Sequence, residues 1–250
     1  MIRNVIIRTE SLADCRARNE ALGRREFMAA LLATPLLVSP RMVLAALGSS
    51  GDVARLKSFI AKTIGRTPGQ RKEIARKTID GINPLKESSK LLELAALGVL
   101  ARESSVADAL AEDLPGRSKR LITAVLNEQG DLGWAHALAG AWHYEVSRKS
   151  RTGAMVLGAD RAEGEKRFAS ARAKAPGDTG IVLLEAITLI YDGAEKHSQR
   201  IADLLQKASA KAPKGAGKYE EVVARHALSL SGLATARQFK KLETTVRAVF

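Results

Sequence analysis

Apolar residues recur along this chain at steps of three and four. Val53, Leu56 and Ile60 form one such set, and Leu121, Ile122 and Val125 another. Leu184, Ile187 and Ile190 follow, then Ile201, Leu204, Leu205 and Ala208. That spacing places each set on one face of an α-helix, whereas a strand would alternate with period two, and no segment does so. Breaks fall between the sets at Gly65 to Gly69, Gly81 to Pro84, Pro115-Gly116, Gly130 to Gly133, Pro176-Gly177, Asp192-Gly193 and Pro213 to Gly217. Gly and Pro are the residues that end helices, so the pattern predicts an all-α fold of helix-sized pieces. Composition agrees: hydrophobic residues make up 46% of the 250 positions but aromatics only 4%. Ala and Leu must therefore fill the interior, as in closely packed helices rather than a β-sandwich.

One segment returns. Ala171-Arg172-Ala173-Lys174-Ala175-Pro176 is followed 37 residues later by Ala208-Ser209-Ala210-Lys211-Ala212-Pro213. Each copy closes a helix that carries a large apolar residue one turn earlier, Phe168 in the first and Leu205 in the second. A period of this length belongs to stacked helix pairs. Gly164, Phe168, Ala171 and Pro176 match every position of the second helix of a tetratricopeptide repeat: a small residue, an aromatic four later, Ala three further on, then Pro. Ile201, Leu205, Ala208 and Pro213 match it with substitutions. The chain therefore resembles that family, and the resemblance implies stacked antiparallel helix pairs, a tetratricopeptide-like α-solenoid, over residues 131–250.

The first helix of the pair departs from the family pattern. Leu138-Ala139-Gly140-Ala141-Trp142-His143-Tyr144 keeps a close-packing Gly and an aromatic cluster, but about a dozen extra residues, including Lys149 to Gly158, precede the second helix. Over about 40 residues this arrangement also resembles the tetratricopeptide-like region of the regulator-of-microtubule-dynamics family, which implies a fold and not a cellular role. Residues 46–130 read as a helical region in no repeat register.

The N-terminus reads differently. Gly23-Arg24-Arg25-Glu26-Phe27-Met28 resembles the twin-arginine motif of bacterial exported proteins, and an apolar stretch from Phe27 to Val38 and small residues at Ala45 and Ala46 follow it. The order is that of a signal peptide, here residues 1–45, with Arg24, Arg25 and Phe27 as the element read by the twin-arginine translocase. The apolar stretch is shorter than the roughly 20 residues a spanning helix needs, and no Cys follows it, so no stable membrane anchor is expected. The resemblance implies export, to a periplasm or its equivalent. Cys15 lies upstream of the expected cleavage point, so the exported part would hold no disulfide.

Charge and chemistry narrow the function. The formal net charge is +13 from 40 basic and 27 acidic residues, which favours an anionic partner such as an acidic protein face. No Arg-rich run or aromatic-studded strand points to nucleic acid. His136 and His143 share a helix face but lack a third ligand at helical spacing, so neither a metal nor a cofactor is expected. No nucleophile elbow, phosphate loop or zinc-protease motif is present, and no enzyme is expected. The densest aromatic cluster, with Trp134, Trp142 and Tyr144, runs into Arg148, Lys149 and Arg151. Trp142, Tyr144, Arg148, Lys149 and Arg151 are thus the expected partner-binding residues, since aromatic and Arg side chains dominate binding hot spots. The expectation is an exported scaffold or adaptor for a protein or peptide, with the alternative of a ligand-binding subunit of a periplasmic uptake system. An open groove would favour the first and a formed apolar cavity the second.

Overall fold

The computed structural model describes residues 40–82, 90–210 and 217–250, with side chains from residue 51. Arg24, Arg25, Phe27 and Cys15 lie outside the described residues, as does the second Pro of the repeat, Pro213. All regular structure among the described residues is helical: α1 (Pro40–Thr63), α2 (Pro68–Asp80), α3 (Lys90–Glu103), α4 (Val106–Ala111), α5 (Leu114–Gln129), α6 (Gly133–Lys149), α7 (Arg151–Leu157), α8 (Arg161–Lys174), α9 (Thr179–Gly193), α10 (Ser198–Ala208), α11 (Lys218–Thr235) and α12 (Phe239–Val249). The all-α expectation holds. No helix is long and apolar enough to cross a membrane among those described.

Local chemistry explains where the helices begin and end. Thr67 and Gln70 form a reciprocal capping box at α2, with Pro68 as its first helical residue. Ser105, Ser150, Asp160 and Asp178 accept main-chain N–H bonds at the starts of α4, α7, α8 and α9. Gly158, at φ 66°, ends α7 in the left-handed conformation that Gly adopts without strain. Pro115-Gly116, read from sequence as a break, lies instead within the first turn of α5, where Pro has no N–H to waste. The extra residues after Lys149 form a helix, α7, rather than a loop.

The close pair is α6 with α8. A Cβ at Gly140 would stand 3.0 Å from the Gly164 carbonyl oxygen and 2.9 Å from the Phe168 ring; one at Gly164 would stand 2.8 Å from Tyr144. Both glycines are needed for backbones to approach this closely. Phe168, fully buried, fills the space beside them and packs on Tyr144 with ring centroids 6.3 Å apart. The corresponding positions of α10, Ile201, Leu205 and Ala208, are also fully buried, against α9 and α11. The residues that the 37-residue return aligns, Phe168 with Leu205 and Ala171 with Ala208, are thus all buried.

α9 is apolar nearly all round and α6 has no exposed residue, as befits helices covered by neighbours, while α10 and α12 carry single apolar stripes. Trp134, at 2% exposure, gives its indole N–H to Asp178 (2.9 Å), which also receives Lys57 from α1 (3.1 Å). At the other side Arg71, 1% exposed, donates to Glu103 (2.7 Å) and to the main-chain oxygens of Arg66 (2.7 Å), Arg247 (3.0 Å) and Ala248 (3.2 Å). The Gly65 N–H adds a bond to the Val249 carbonyl (2.8 Å). The α1–α2 turn and the last turn of α12 are thereby tied together within one compact unit, Ala46–Phe250. An open stack holds its ends apart; here the first and last helices meet.

Candidate functional site

Meeting ends enclose space. A cavity of about 180 Å³ lies among α1, α3, α6, α9 and α11, with Phe250 closing one side. Its walls are apolar: Phe59 and Ile60 from α1, Leu138 and Trp142 from α6, Leu183 and Ile187 from α9, Val223 from α11. It stays empty of protein because small residues face it where large ones would fill it. Ala95, Ala101 and Ala141 are among them, and Gly98 is the clearest case, since a Cβ built there meets nothing within 4 Å. A mid-helix Gly costs helix stability, so its presence here coincides with space a side chain would take. An engineered cavity of roughly 150 Å³ suffices to bind benzene, so this volume is adequate for a small apolar group.

The mouth is built from the two short helices. α4 contributes Val106 and Leu110, 43% and 59% exposed, and α7 contributes Gly153 and Leu157 to the lining. On its outer surface α7 shows Met155 and Val156 to solvent at 79% and 77%.

One end of the cavity is charged, lined by Arg102, Glu145 and Lys149. Lys149 reaches back to the carboxyl end of α3 and gives its ammonium protons to the carbonyls of Ala101, Arg102 (3.3 Å) and Ser104 (3.1 Å), where a cation meets the negative pole of the helix. Burial pulls its pKa below the ordinary lysine range, and Glu145, 3.6 Å away, only partly offsets this. Burial pushes the Glu145 carboxyl upward, but the charges of Arg102, Arg148 and Lys149 outweigh it and hold the group below its usual value. Arg148 grips Glu145 with two bonds, 2.7 and 3.3 Å. Three guanidinium groups, those of Arg102, Arg148 and Arg247, lie 5.0, 5.6 and 5.3 Å from the Tyr191 ring centroid. Arg102 gives one Nη1 bond of 3.3 Å to the main-chain oxygen of Phe250, while its Nε is buried with no acceptor.

The five residues expected to bind a partner do not form one surface. Trp142 is half-buried, lines the cavity, and donates its indole N–H to the Pro115 carbonyl (3.2 Å). Tyr144 is 4% exposed and packs in the core against Phe168 and Gly164. Arg148 and Lys149 are held by Glu145 and the end of α3, so neither projects freely from a loop. Arg151 is exposed, on the first turn of α7. Helical spacing showed that these residues adjoin in sequence but not which side of α6 each would occupy; that is decided by the helices packed around it. The sequence reading missed Arg102, Glu145, Tyr191 and the cavity itself. Gly98, inside the run Leu-Ala-Ala-Leu-Gly-Val-Leu, was the available signal.

The two histidines of α6 each have a main-chain partner. His136, 8% exposed, lies 2.9 Å from the Gly130 carbonyl through Nε2. His143 Nδ1 accepts the Asp160 N–H at the start of α8 (3.1 Å), and burial lowers its pKa. No protein-family model matches the chain, and no curated protein or solved structure matches it.

Proposed function

We propose that this chain is a non-enzymatic binding protein that carries a small, mainly apolar molecule inside its helical unit. The supporting observation is the 180 Å³ cavity, walled mainly by apolar side chains, with Gly98 and Ala residues among its lining. Convergent apolar walls with a few polar groups at one end are the usual form of a ligand site. At that end Glu145 and Lys149 are already bonded to the protein, which suits fixing a ligand's orientation. In this proposal the twin-arginine signal of residues 1–45 exports the chain, and residues 46–250 serve as the ligand-binding component of an uptake system in that compartment. The helix pairs α6–α8 and α9–α10 act as a tetratricopeptide-like frame around the ligand. Titration of the protein with 1-decanol, read by the fluorescence of Trp142 in the cavity wall, tests the reading. A saturable spectral change supports it; absence of saturable binding refutes it.

A second reading, the scaffold for a protein or acidic peptide, has one observation in its favour. Arg151 shares α7 with exposed Met155 and Val156, a combination of cation and apolar surface suited to a partner contact at the cavity mouth. Charge reversal at Arg151 that slows association with such a partner, more at low salt than at high, would support it.

A further inference from the structure

We infer that the ligand is an anionic amphiphile with a single carboxylate head, and that Arg102 receives that head at the charged end of the cavity. The inference rests on the ligand-carrying function proposed above. Of the three charged side chains that line the cavity, two are already engaged. Lys149 donates to three carbonyls at the end of α3, and Glu145 is held by Arg148 through both oxygens. Arg102 differs. Its charge helps to hold Glu145 ionised, but its hydrogen bond to Phe250 is long at 3.3 Å, so its Nη groups are the least committed donors of the three side chains. The guanidinium also lies over the Tyr191 ring, 5.0 Å from its centroid. A guanidinium's planar fork of N–H groups matches a carboxylate through two parallel bonds.

The surrounding charge sets the sign and the size of the head. Arg102, Arg148, Lys149 and Arg247 gather around Tyr191 and Glu145, and Glu145 is the acidic side chain bonded among them. The excess of cations favours an anion, while the nearby Glu145 carboxylate disfavours a second negative charge on the ligand. A monoanion with an apolar tail meets both conditions: the oxygens face Arg102 and the tail lies along Trp142, Leu183 and Phe59. The open mouth at α4 and α7 lets a tail longer than the cavity emerge beside Val106 and Leu110.

Calorimetric titration of the full chain with decanoate, 1-decanol and decyl phosphate tests this at neutral pH and low salt. Decanoate should bind ~10-fold or more tightly than 1-decanol, the advantage of a charge-assisted hydrogen bond in a shielded site. Arg102→Met should remove the advantage of decanoate over 1-decanol, bringing the two affinities together in the variant. Circular dichroism checks that the variant is folded; if it is not, the comparison of decanoate with 1-decanol on the unaltered protein decides alone. Equal affinity for the two overturns the carboxylate assignment and leaves the cavity reading standing. Tighter binding of decyl phosphate than of decanoate overturns the choice of a single-charged head. Failure of all three to bind overturns the cavity reading as well.

Discussion

Replacing Gly98 with Leu should stabilise the protein and at the same time abolish its binding of an apolar ligand. Gly98 lies in the middle of α3 and lines the cavity, and a Cβ there would meet nothing within 4 Å. Removing Gly from a helix interior is worth ~0.5–1 kcal/mol by backbone entropy alone, and the new side chain gains apolar contact with the cavity wall. For a unit of this size, 1 kcal/mol raises Tm by about 2–4 °C. The four added carbons displace a comparable stretch of ligand. At about 0.8 kcal/mol per methylene the loss comes to ~3 kcal/mol, on the order of a 150-fold weaker Kd. Thermal melts by circular dichroism and 1-decanol titration by Trp fluorescence measure the two effects on one preparation. Gly98→Ala is the intermediate: it should retain most of the stabilisation and lose far less binding. Undiminished 1-decanol affinity in Gly98→Leu would place the ligand elsewhere. A lower Tm in that variant would show that the space beyond Gly98 is closed in solution, against the reasoning from its open Cβ direction.

Phe168→Ala should cost about 3–5 kcal/mol in urea unfolding, because the ring is fully buried between the glycines of α6 and α8; a loss below about 1 kcal/mol would remove it from the core. Glu185 is fully buried and held by Arg172 and by Arg200 (2.7 Å), so Glu185→Ala should destabilise by about 2–4 kcal/mol, tempered because both arginines are a third exposed and can turn to solvent. Burial lowers the pKa of both His143 and His226 from 6.5, so the fold prefers the neutral ring. Their contribution is complete above about pH 6.5 and declines as pH falls through the lowered values; unfolding free energy measured between pH 7 and 5 should drop, and the double variant His143→Gln with His226→Gln should flatten the drop. Changing Arg24 and Arg25 to Lys should leave precursor in the cytoplasm on cell fractionation, since a receptor that reads guanidinium geometry does not accept an ammonium equally, and normal export would refute the twin-arginine signal.

Secondary structure was legible in the sequence because helix formation is decided locally. The three- and four-residue apolar spacing and the Gly and Pro breaks both act within a turn or two of themselves. The recurrence of Ala171-to-Pro176 at 208–213 was legible for the same reason, and it identified Phe168, Leu205, Ala171 and Ala208 as core positions. What the pattern could not carry was the direction in which the chain closes. Arg71 meets residues near the opposite end of the unit, and Gly65 meets Val249, across separations that no periodicity encodes. The cavity follows from that closure, since its walls come from helices spread over the whole unit. Closure also divided the expected binding cluster: α6 is covered on every side, so Tyr144 went to the α8 face, Trp142 to the cavity, and Lys149 to the end of α3. A helix surrounded by partners has no sequence signature for which neighbour each side chain meets. Only tertiary packing brought Arg102 of α3, Glu145 of α6 and Tyr191 of α9 to one place, because the interactions that join them are long-range and electrostatic rather than local and periodic.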